Sequence, residues 1–523
     1  MLMGLSGAVA LAASDVALSQ EAPVAQTVAG KVRGSLSDGV NVFKGIPYGA
    51  STAGANRFAP PRKPEKWDGI RDAMGLGDRA PQNPSAGLPP ETVTVAEEQM
   101  SEDCLRLNVW TAGLRDGLKR PVMVWFHGGG YSSGSGGSPR YDGSNLAKRQ
   151  GVVVVTVNHR LNAFGHLFLA DVAGDEFADS GNAGMLDLVA SLQWVRDNIA
   201  AFGGDARNVT IFGESGGGGK VSTLMAMPAA AGLFHRAIAE SGVALRQTPR
   251  EVATNTAKAV LDKLGIPMPA AAWKLRTVPQ ADLLAAIAEM NPLPRFAPVV
   301  DGRSLPRNPF DPAAPDISAS VPLLLGSNAT EATFFADTPL DPIDAATLRE
   351  RVKQYTHVDA GTADMLIGLY RHARPKISNE HLYQIIASDY WLTSDVTTQA
   401  ERKAAAGKAS VYLYHFEWEA PVREGKLRSV HTLEIPFVFD TLDASISLVG
   451  TGADRAPLAQ TMSAAWARFA RTGNPNGRGL PNWAPYSSAT RSVMIFDKTC
   501  RAVNDPNRQE RLAMGAVKLH QVT

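Results

Sequence analysis

The sequence predicts an α/β fold in which helices flank a central, mostly parallel, twisted sheet. Six short apolar segments, most of them rich in β-branched or aromatic residues, have the composition of strands that are covered on both faces. Between two of them, residues 183–204 carry apolar side chains at helical spacing, and Gly203 provides a stop. Strands that alternate with helices are typical of parallel sheets with right-handed crossovers. The predicted strands are 121–126, 151–157, 208–212, 236–241, 321–326 and 411–416.

The composition indicates one large globular domain. Of the 523 residues, 44% are hydrophobic and 20% are charged, which is ordinary for a globular protein. Because no linker, charge run or repeat divides the chain, we predict a single domain over residues 26–523. The Pro-rich stretch 47–100 is long and weakly periodic, as loops that cover a site are. The formal net charge of +1 argues against a nucleic-acid partner.

The N-terminal residues 1–25 have the composition of a secretory signal peptide, small and apolar before turning polar, with Ala10-Leu11-Ala12 as a candidate cleavage motif. No Lys or Arg precedes Lys31, so the positive segment of such signals is missing. We predict an exported protein, periplasmic or secreted. The alternative is a disordered leader on a cytoplasmic protein. No later stretch reaches 18 uninterrupted apolar residues, so no membrane span is predicted.

The two cysteines, Cys104 and Cys500, make no disulfide framework, although the sequence leaves their pairing open. Neither cysteine has a metal-ligand spacing such as C-x-x-C, and the ten histidines are scattered. We therefore predict no metal site.

A candidate nucleophile lies in one of two G-x-S-x-G matches. Ser215 follows the strand 208–212 and precedes a short helix that Pro228 ends, and this strand–turn–helix context is typical of a nucleophile elbow. Only a glycine- and serine-rich stretch follows Ser132, so we predict that it is a loop serine. The structural alternative for Ser215 is a glycine turn that packs a helix against the sheet.

A glycine run supplies the second part of the candidate site. His127-Gly-Gly-Gly130 follows the strand that ends at Phe126. Successive glycines free backbone N–H groups to point into a cavity, and the oxyanion of an acyl-transfer intermediate needs such donors. HGGG followed by G-x-S-x-G is a specific joint signal, whereas each motif alone is weak.

The candidate base is a histidine after Ser215. His415 lies inside the apolar run 411–416 and reads as a core residue. His431 stands between a basic, polar stretch and the apolar "LEIPFVF", where a loop could bring an imidazole to the serine. Histidine has the near-neutral pKa that a base requires. The other histidines that follow are His357, His372, His381 and His520.

At this point the chain resembles the type-B carboxylesterases of the α/β-hydrolase superfamily, the group of para-nitrobenzyl esterases and cholinesterases. The matching stretches run nearly from end to end: "FKGIPYG", "RFAPP", "SEDCLRLNVWTA", "VMVWFHGGGY", "VNHRLNAFG", "GNAGMLDLVASLQWVRDNIAAFGGDARNVTIFGESGGG", "LFHRAIAESG", "GSNATEATFF" and "HTLEIPFVF".

The resemblance implies an α/β-hydrolase fold whose long loops cover an active-site gorge. It implies a serine carboxylesterase that hydrolyses a small-molecule ester through an acyl-enzyme, without a cofactor, as a monomer or homodimer. The residues that it implies are the nucleophile Ser215, the acid Glu331, the base His431 and the oxyanion-hole donors Gly129, Gly130 and Gly216.

Three departures from the family pattern stand out. Gly216 stands where the family usually has Ala, and Thr330 and Ala332 flank the implied acid in place of the usual Asp and Gly. Ala80 stands where the family has the disulfide partner of the cysteine that matches Cys104, so we expect that bridge to be absent. These departures remove no catalytic group but leave the local loop geometry open.

Asp301 is a rival for the acid, because it ends the apolar stretch "FAPVVDG" and also lies between Ser215 and His431. Its alternative role is to cap a turn, as Asp before Gly often does. Glu331 is favoured because it follows the strand 321–326 in a loop that could lean toward the loop of His431, and because it matches the family acid.

The substrate pocket and the exact chemistry stay open. Candidate pocket residues for an aromatic, mostly apolar site are Tyr131, His166, Phe334, Phe335 and Trp391. An amidase or lactonase on the same triad is one alternative, and a catalytically dead binding protein of the same fold is another.

Overall fold

The computed structural model describes residues 22–84, 88–92, 98–268 and 271–520. Most of the predicted leader, residues 1–21, therefore lies outside the described residues. The first strand begins at Val24, inside the predicted leader, and Ala25 is buried in the core.

The strands of the described chain are β1 Val24–Gln26, β2 Lys31–Arg33, β3 Ser35–Ser37, β4 Val40–Pro47, β5 Ile70–Asp72, β6 Arg106–Thr111, β7 Arg120–Phe126, β8 Val153–Val157, β9 Gly204–Glu214, β10 Arg236–Glu240, β11 Thr248–Pro249, β12 Val299–Val300, β13 Leu323–Asn328, β14 Val411–Phe416, β15 Ser492–Phe496 and β16 Arg501–Asn504.

The helices are α1 Ser144–Gln150, α2 Asn162–His166, α3 Ala170–Ala173, α4 Ala183–Asn198, α5 Gly216–Leu224, α6 Arg250–Lys263, α7 Ala271–Thr277, α8 Gln280–Ala288, α9 Ala345–Thr356, α10 Ala360–Ala373, α11 Asn379–Ser388, α12 Ser394–Ala405, α13 Ile435–Val438, α14 Ile446–Val449, α15 Arg455–Thr472 and α16 Arg508–His520. A π-helical turn, Asp389–Thr393, joins α11 to α12.

An 11-stranded sheet organises the chain, in the order β16-β15-β14-β13-β10-β9-β7-β8-β6-β4-β3. The seven strands from β15 to β8 are mutually parallel, and antiparallel strands close both edges. All six predicted strands are present as β7, β8, β9, β10, β13 and β14, which confirms the predicted fold class. The sequence analysis missed β15, the seventh parallel strand.

The predicted helix over 183–204 is observed as α4, followed by a 3-10 turn that ends at Phe202. Gly203 then has φ 76°, so the helical segment ends at the glycine that was predicted as its stop. The predicted helix after Ser215 is α5, and it ends before Pro228.

The sheet is covered on both faces, which explains why its strands are apolar throughout. Along β7, Val122 and Val124 belong to one hydrophobic cluster, and Met123 and Trp125 belong to the cluster on the opposite face. Helix α4 supplies side chains to the first cluster and α15 to the second. Successive strand residues point to opposite faces, so a strand covered on both sides cannot alternate between polar and apolar residues.

The carboxyl ends of β7, β9, β13 and β14 lie along one edge of the sheet, because these strands are parallel. The glycine run follows β7, Ser215 follows β9, and Glu331 follows β13. Ligands of open α/β sheets bind at this edge.

A buried ion pair fixes the segment after β8 to α4. The Arg160 guanidinium donates to both carboxylate oxygens of Asp187, at 2.6 and 2.8 Å, and both side chains are almost fully buried. Arg160 also donates to the carbonyl of Ala59. The next turn supports the candidate site, because the Asn162 N–H donates to the carbonyl of Tyr131 at 2.7 Å.

Replacing Asp187 by Ala should lower the free energy of unfolding by about 3–5 kcal/mol, because it leaves a buried guanidinium without its counter-charge. Thermal and denaturant unfolding of the purified variant measure this loss. Asp72→Ala is the matched control, since its pair with Arg33 is exposed and should hardly move the midpoint. Equal midpoints for the two variants would contradict the importance of the buried pair.

Candidate active site

Ser215 lies at the sharp turn between β9 and α5. Its backbone has φ 57° and ψ −124°, a strained conformation for a residue with a side chain. The Ser215 N–H donates to the carbonyl of Glu240 on the neighbouring strand at 2.9 Å, which anchors the turn. The side chain is half-buried at the N-terminus of α5. A strained turn of this kind exposes the serine oxygen at the sheet edge.

The two flanking glycines are required by close backbone contacts. A Cβ atom at Gly213 would lie 2.5 Å from the carbonyl oxygen of Phe126, and one at Gly217 would lie 2.0 Å from the same atom. Both distances are far below van der Waals contact. The G-x-S-x-G pattern around Ser215 therefore lets the turn pack directly on the end of β7.

The glycine run after β7 forms a loop beside this turn. Gly129 and Gly130 have φ values of 80° and 61°, which residues with side chains rarely adopt. Both residues are exposed. In the described part of the chain, the N–H groups of Gly129, Gly130 and Gly216 donate to no other protein group. They are thus available to an oxygen atom placed near Ser215.

Gly216 explains one departure from the family pattern. A Cβ atom at this position would lie 2.1 Å from the carbonyl oxygen of Gly130 and 2.5 Å from its Cα. The glycine loop therefore rests on the backbone of Gly216 itself. The alanine usual in the family would force this loop to move.

His431 and Glu331 form a buried pair. Nδ1 of His431 lies 2.6 Å from Oε2 of Glu331, and both side chains are almost fully buried. The other carboxylate oxygen of Glu331 accepts the N–H of Asn328 at 2.6 Å. This carboxylate therefore fixes the imidazole ring and assigns the Nδ1 proton, while Nε2 faces the serine turn.

Nε2 of His431 lies 3.2 Å from Oε1 of Glu214, the last residue of β9. Within the described residues, Nε2 has no hydrogen-bond partner. Burial lowers the pKa of His431, but the charges of Glu214, Glu331 and Glu434 outweigh it and raise that pKa to about 9. Burial, with the charges of Glu434 and Glu331, raises the pKa of Glu214 well above its usual range, and the charge of His431 opposes this rise.

A second buried carboxyl supports the pair. Glu434 accepts hydrogen bonds from Ser241 Oγ and from Asn328 Nδ2, each at 2.7 Å. Burial, with the nearby charge of Glu331, raises the pKa of Glu434 to about 7. Asn328 contacts Glu331 through its N–H and Glu434 through its amide, so it joins both carboxyl groups.

Three of the predicted pocket residues surround the histidine. The rings of Phe334 and Trp391 lie 4.9 and 5.0 Å from the His431 ring, and Phe335 packs edge-on against Trp391 at 4.5 Å. All three aromatic side chains are half-buried. Trp391 lies in the π-helical turn, which aims it at the site. The half-exposed rings can contact an apolar ligand.

The other two predicted pocket residues, Tyr131 and His166, contact each other and not the His431 cluster in the described contacts. Tyr131 follows the glycine loop, and its hydroxyl accepts a hydrogen bond from Gln247 at 2.8 Å. His166 packs edge-on against the Tyr131 ring at 5.4 Å and is buried. Burial lowers the pKa of His166 to about 3, so the imidazole is neutral.

The rival residues have local partners. Asp301 accepts the N–H groups of Arg303 and Leu305 and the hydroxyl of Ser304, as a turn-capping carboxylate does. Ser132 is exposed in the turn that follows the glycine loop. His415 lies in β14 and contacts Ser327 at 3.5 Å.

The sequence analysis missed the buried acids around His431. Glu214 and Glu240 each end a parallel strand, and Glu434 follows the loop of His431. The signal that could have revealed Glu214 and Glu240 is a carboxylate at the last position of an apolar strand. Burying a charged residue there costs free energy unless it has a partner.

The described residues bring no three His, Cys, Asp or Glu side chains together in a way that could hold a metal ion. Cys104 and Cys500 are both free, and burial raises the pKa of Cys104. Of the described helices, none is long and apolar enough to cross a membrane.

The sheet order, the strained serine turn after β9 and the imidazole–carboxylate pair at the same edge define a protein of the α/β-hydrolase fold. A family model described as the carboxylesterase family matches residues 21–514. The chain belongs to this family, and it is a carboxylic ester hydrolase. The resemblance that the sequence predicted is confirmed.

The similar proteins match nearly end to end. Para-nitrobenzyl esterase of Bacillus subtilis (strain 168) is 36% identical over 500 residues, which cover 93% of this chain and 97% of the relative. Phenmedipham hydrolase of Pseudarthrobacter oxydans is 33% identical over 506 residues, covering 94% and 99%. The solved structure of the Geobacillus stearothermophilus carboxylesterase EST55 has a TM-score of 0.82 and 38% identity, covering 94% and 99%.

Proposed function

We propose that Ser215, His431 and Glu331 act as nucleophile, base and acid in the hydrolysis of a small-molecule carboxylic ester. The observation that carries the proposal is the 2.6 Å contact between Glu331 and His431, at the sheet edge where Ser215 lies in its strained turn. The free Nε2 of His431 supports it, because a base needs an unoccupied nitrogen.

The reaction has two halves. His431 Nε2 accepts the Ser215 proton while Oγ attacks the ester carbonyl, and the resulting oxyanion is bound by the N–H groups of Gly129, Gly130 and Gly216. His431 then returns the proton to the departing alkoxide. Water attacks the acyl-enzyme by the same route, which releases the acid and restores Ser215. No step requires a metal or cofactor.

Glu331 holds the imidazole in one tautomer and stabilises the imidazolium that forms. The aromatic residues Phe334, Phe335 and Trp391 on one side, and Tyr131 on the other, form the pocket in this proposal, with His166 supporting Tyr131 from behind. Half-buried rings favour an apolar or aromatic ester.

We also propose one domain that begins with β1 at Val24, two residues before the predicted start at 26, since the family match spans 21–514 without a break. The apolar N-terminal residues support export of the protein. A monomer or homodimer is the proposed oligomeric state.

Replacing Ser215 by Ala should reduce the hydrolysis of an aryl ester by about 10⁴–10⁶-fold, because the nucleophile is lost. Ser132→Ala should keep most of the activity, because Ser132 is an exposed turn residue. Release of nitrophenolate measures both, and labelling by an organophosphate should require Ser215. Loss of activity in the Ser132 variant instead would refute the assignment, and failure of the parent enzyme to react with the organophosphate would favour a binding protein.

Replacing Glu331 by Gln should lower kcat by about 10⁴-fold, the loss seen for the equivalent change in a serine protease. The amide keeps the shape of the side chain but loses tautomer control and the stabilising charge. Asp301→Asn is the control, and it should lower the melting temperature while leaving kcat nearly unchanged, because Asp301 holds its own turn. The reverse pattern would transfer the acid role to Asp301.

The acid limb of the kcat/KM profile should lie above the ordinary histidine pKa of about 6.5. The protonated imidazole cannot accept the serine proton, and the neighbouring carboxylates raise the pKa of His431 to about 9, so activity falls as the pH drops through this raised value. Glu214→Gln removes the carboxylate that raises this pKa most, so its acid limb should shift to lower pH. Rates from about pH 5 to pH 10 measure the shift.

Glu350→Gln is the control for that experiment, because Glu350 is exposed on α9 and pairs with Lys353. It should leave the profile in place. An unchanged limb in the Glu214 variant would show that this carboxyl does not act on the base.

A further inference from the structure

Lys220 is a buried cation for which the proposed mechanism has no use. It lies on α5, five residues after Ser215, and its side chain has no exposed area. A buried ammonium costs several kcal/mol unless hydrogen bonds or charges compensate it. A lysine at such a position therefore calls for a specific partner.

The partner of Lys220 is the backbone of the glycine loop. Its Nζ donates to the carbonyl of His127 at 2.8 Å, and it makes no ion pair within the described residues. The same ammonium lies 5.7 Å from the centre of the Tyr131 ring. The residues that it contacts thus stand immediately before and after Gly128–Gly130.

Helix geometry explains how Lys220 reaches this carbonyl. Side chains of a helix lean toward its N-terminus, so a side chain at 220 points back over the first turn of α5. That turn is made of Gly216–Gly219, which leave the path open. The His127 carbonyl oxygen lies only 3.1 Å from the place that a Cβ of Gly217 would occupy.

The titratable groups that face Lys220 are histidines, a tyrosine and one carboxyl, Glu214. His127 and His159 stack at 4.9 Å, and burial, together with the charge of Lys220, holds the pKa of both imidazoles far below 6.5. His166 and Tyr131 complete the titratable groups on this side, and Glu214 is the carboxyl that raises the pKa of Lys220. Against it, burial lowers that pKa to about 7.

We propose that Lys220 is a positioning residue for ester hydrolysis: its Nζ donates to the His127 carbonyl, and thereby holds the N–H groups of Gly129 and Gly130 toward the oxyanion. The proposal rests on the proposed function of Ser215 and the glycine loop. Gly216 acts from the other side, since Gly130 rests on its backbone.

The chain offers a matched control in Lys403. This lysine on α12 is also fully buried, and its Nζ donates to the carbonyls of Ser318 and Ala319 at 2.6 and 2.9 Å. Burial lowers its pKa to about 8. The carbonyls that it holds belong to a turn before β13 and not to the glycine loop.

The experiment compares Lys220→Met, Lys220→Gln and Lys403→Met with the parent enzyme. The readouts are kcat and KM for an aryl ester, and the inhibition constant of a trifluoromethyl ketone. Attack by Ser215 Oγ on that ketone, with loss of its proton to His431, gives a hemiketal oxyanion that mimics the reaction intermediate. A melting curve is recorded for each variant.

Lys220→Met should lower kcat by about 10–100-fold, somewhat less than the loss of a direct oxyanion donor. Its KM should change less than threefold, and its affinity for the ketone should fall by the same factor as kcat. Lys220→Gln should recover part of kcat, because the amide can still donate to the His127 carbonyl. Lys403→Met should lower the melting temperature and leave kcat, KM and the ketone affinity unchanged.

A Lys220→Met enzyme with unchanged kcat and ketone affinity would overturn the proposal, whatever its stability. If this variant does not fold, Lys220→Leu, which also lacks a donor, takes its place, and parental kcat and ketone affinity in it would overturn the proposal. Ser215→Ala tests the proposed function separately from the role of Lys220. A ketone that binds the parent and the Ser215 variant equally would refute the proposed nucleophile, whatever the Lys220 variants show.

Discussion

The site depends on one close backbone contact, between the end of β7 and the turn that follows β9. The carbonyl of Phe126 leaves no room for a side chain at Gly213 or Gly217, and the carbonyl of Gly130 leaves none at Gly216. Two neighbouring parallel strands can bring their following loops this close only when glycine occupies the contact positions. The strained backbone of Ser215 is held by this contact and by the hydrogen bond to Glu240.

The titratable side chains near this contact are buried, and burial strengthens the interactions between their charges. His431 is enclosed by aromatic rings and approached by carboxyl groups of three different segments. In a water-filled cleft these charges would be screened, whereas here they raise the pKa of the imidazole and of each other. The arrangement binds a positive imidazole well, and a transient imidazolium is what acyl transfer from an ester requires.

A different group of buried side chains lies beside the glycine loop. It consists of the neutral histidines His127 and His159 and of Lys220, whose Nζ donates to the carbonyl of His127. The serine turn thus has the carboxyl groups around His431 and the side chain of Lys220 close by. Glu214, which precedes Ser215, raises the pKa of both His431 and Lys220.

Much of the fold could be predicted from local sequence. The six apolar runs are strands because β-branched and aromatic residues suit a sheet covered on both faces, and α4 follows its helical periodicity. The strand β15, by contrast, was missed, because "SVMIF" follows a long irregular stretch and no neighbouring helical pattern marks it as part of a strand–helix alternation. The π-helical turn that aims Trp391 at His431 has no signature in the sequence either.

The sequence by itself determined the strands, the serine turn and the glycine loop, because each depends on residues that are neighbours along the chain. Only the tertiary structure decided which carboxylate meets His431. Asp301 and Glu331 are both placed in suitable order, but Asp301 is occupied by its own turn while the pairing of β13 with β14 brings Glu331 beside the loop of His431. Likewise, the sequence shows Lys220 only as a lysine in a predicted helix. The packing of α5 against the loop after β7 brings its Nζ to the His127 carbonyl. Such contacts join residues about a hundred positions apart in the chain, so they arise from strand order and packing, which no local pattern encodes.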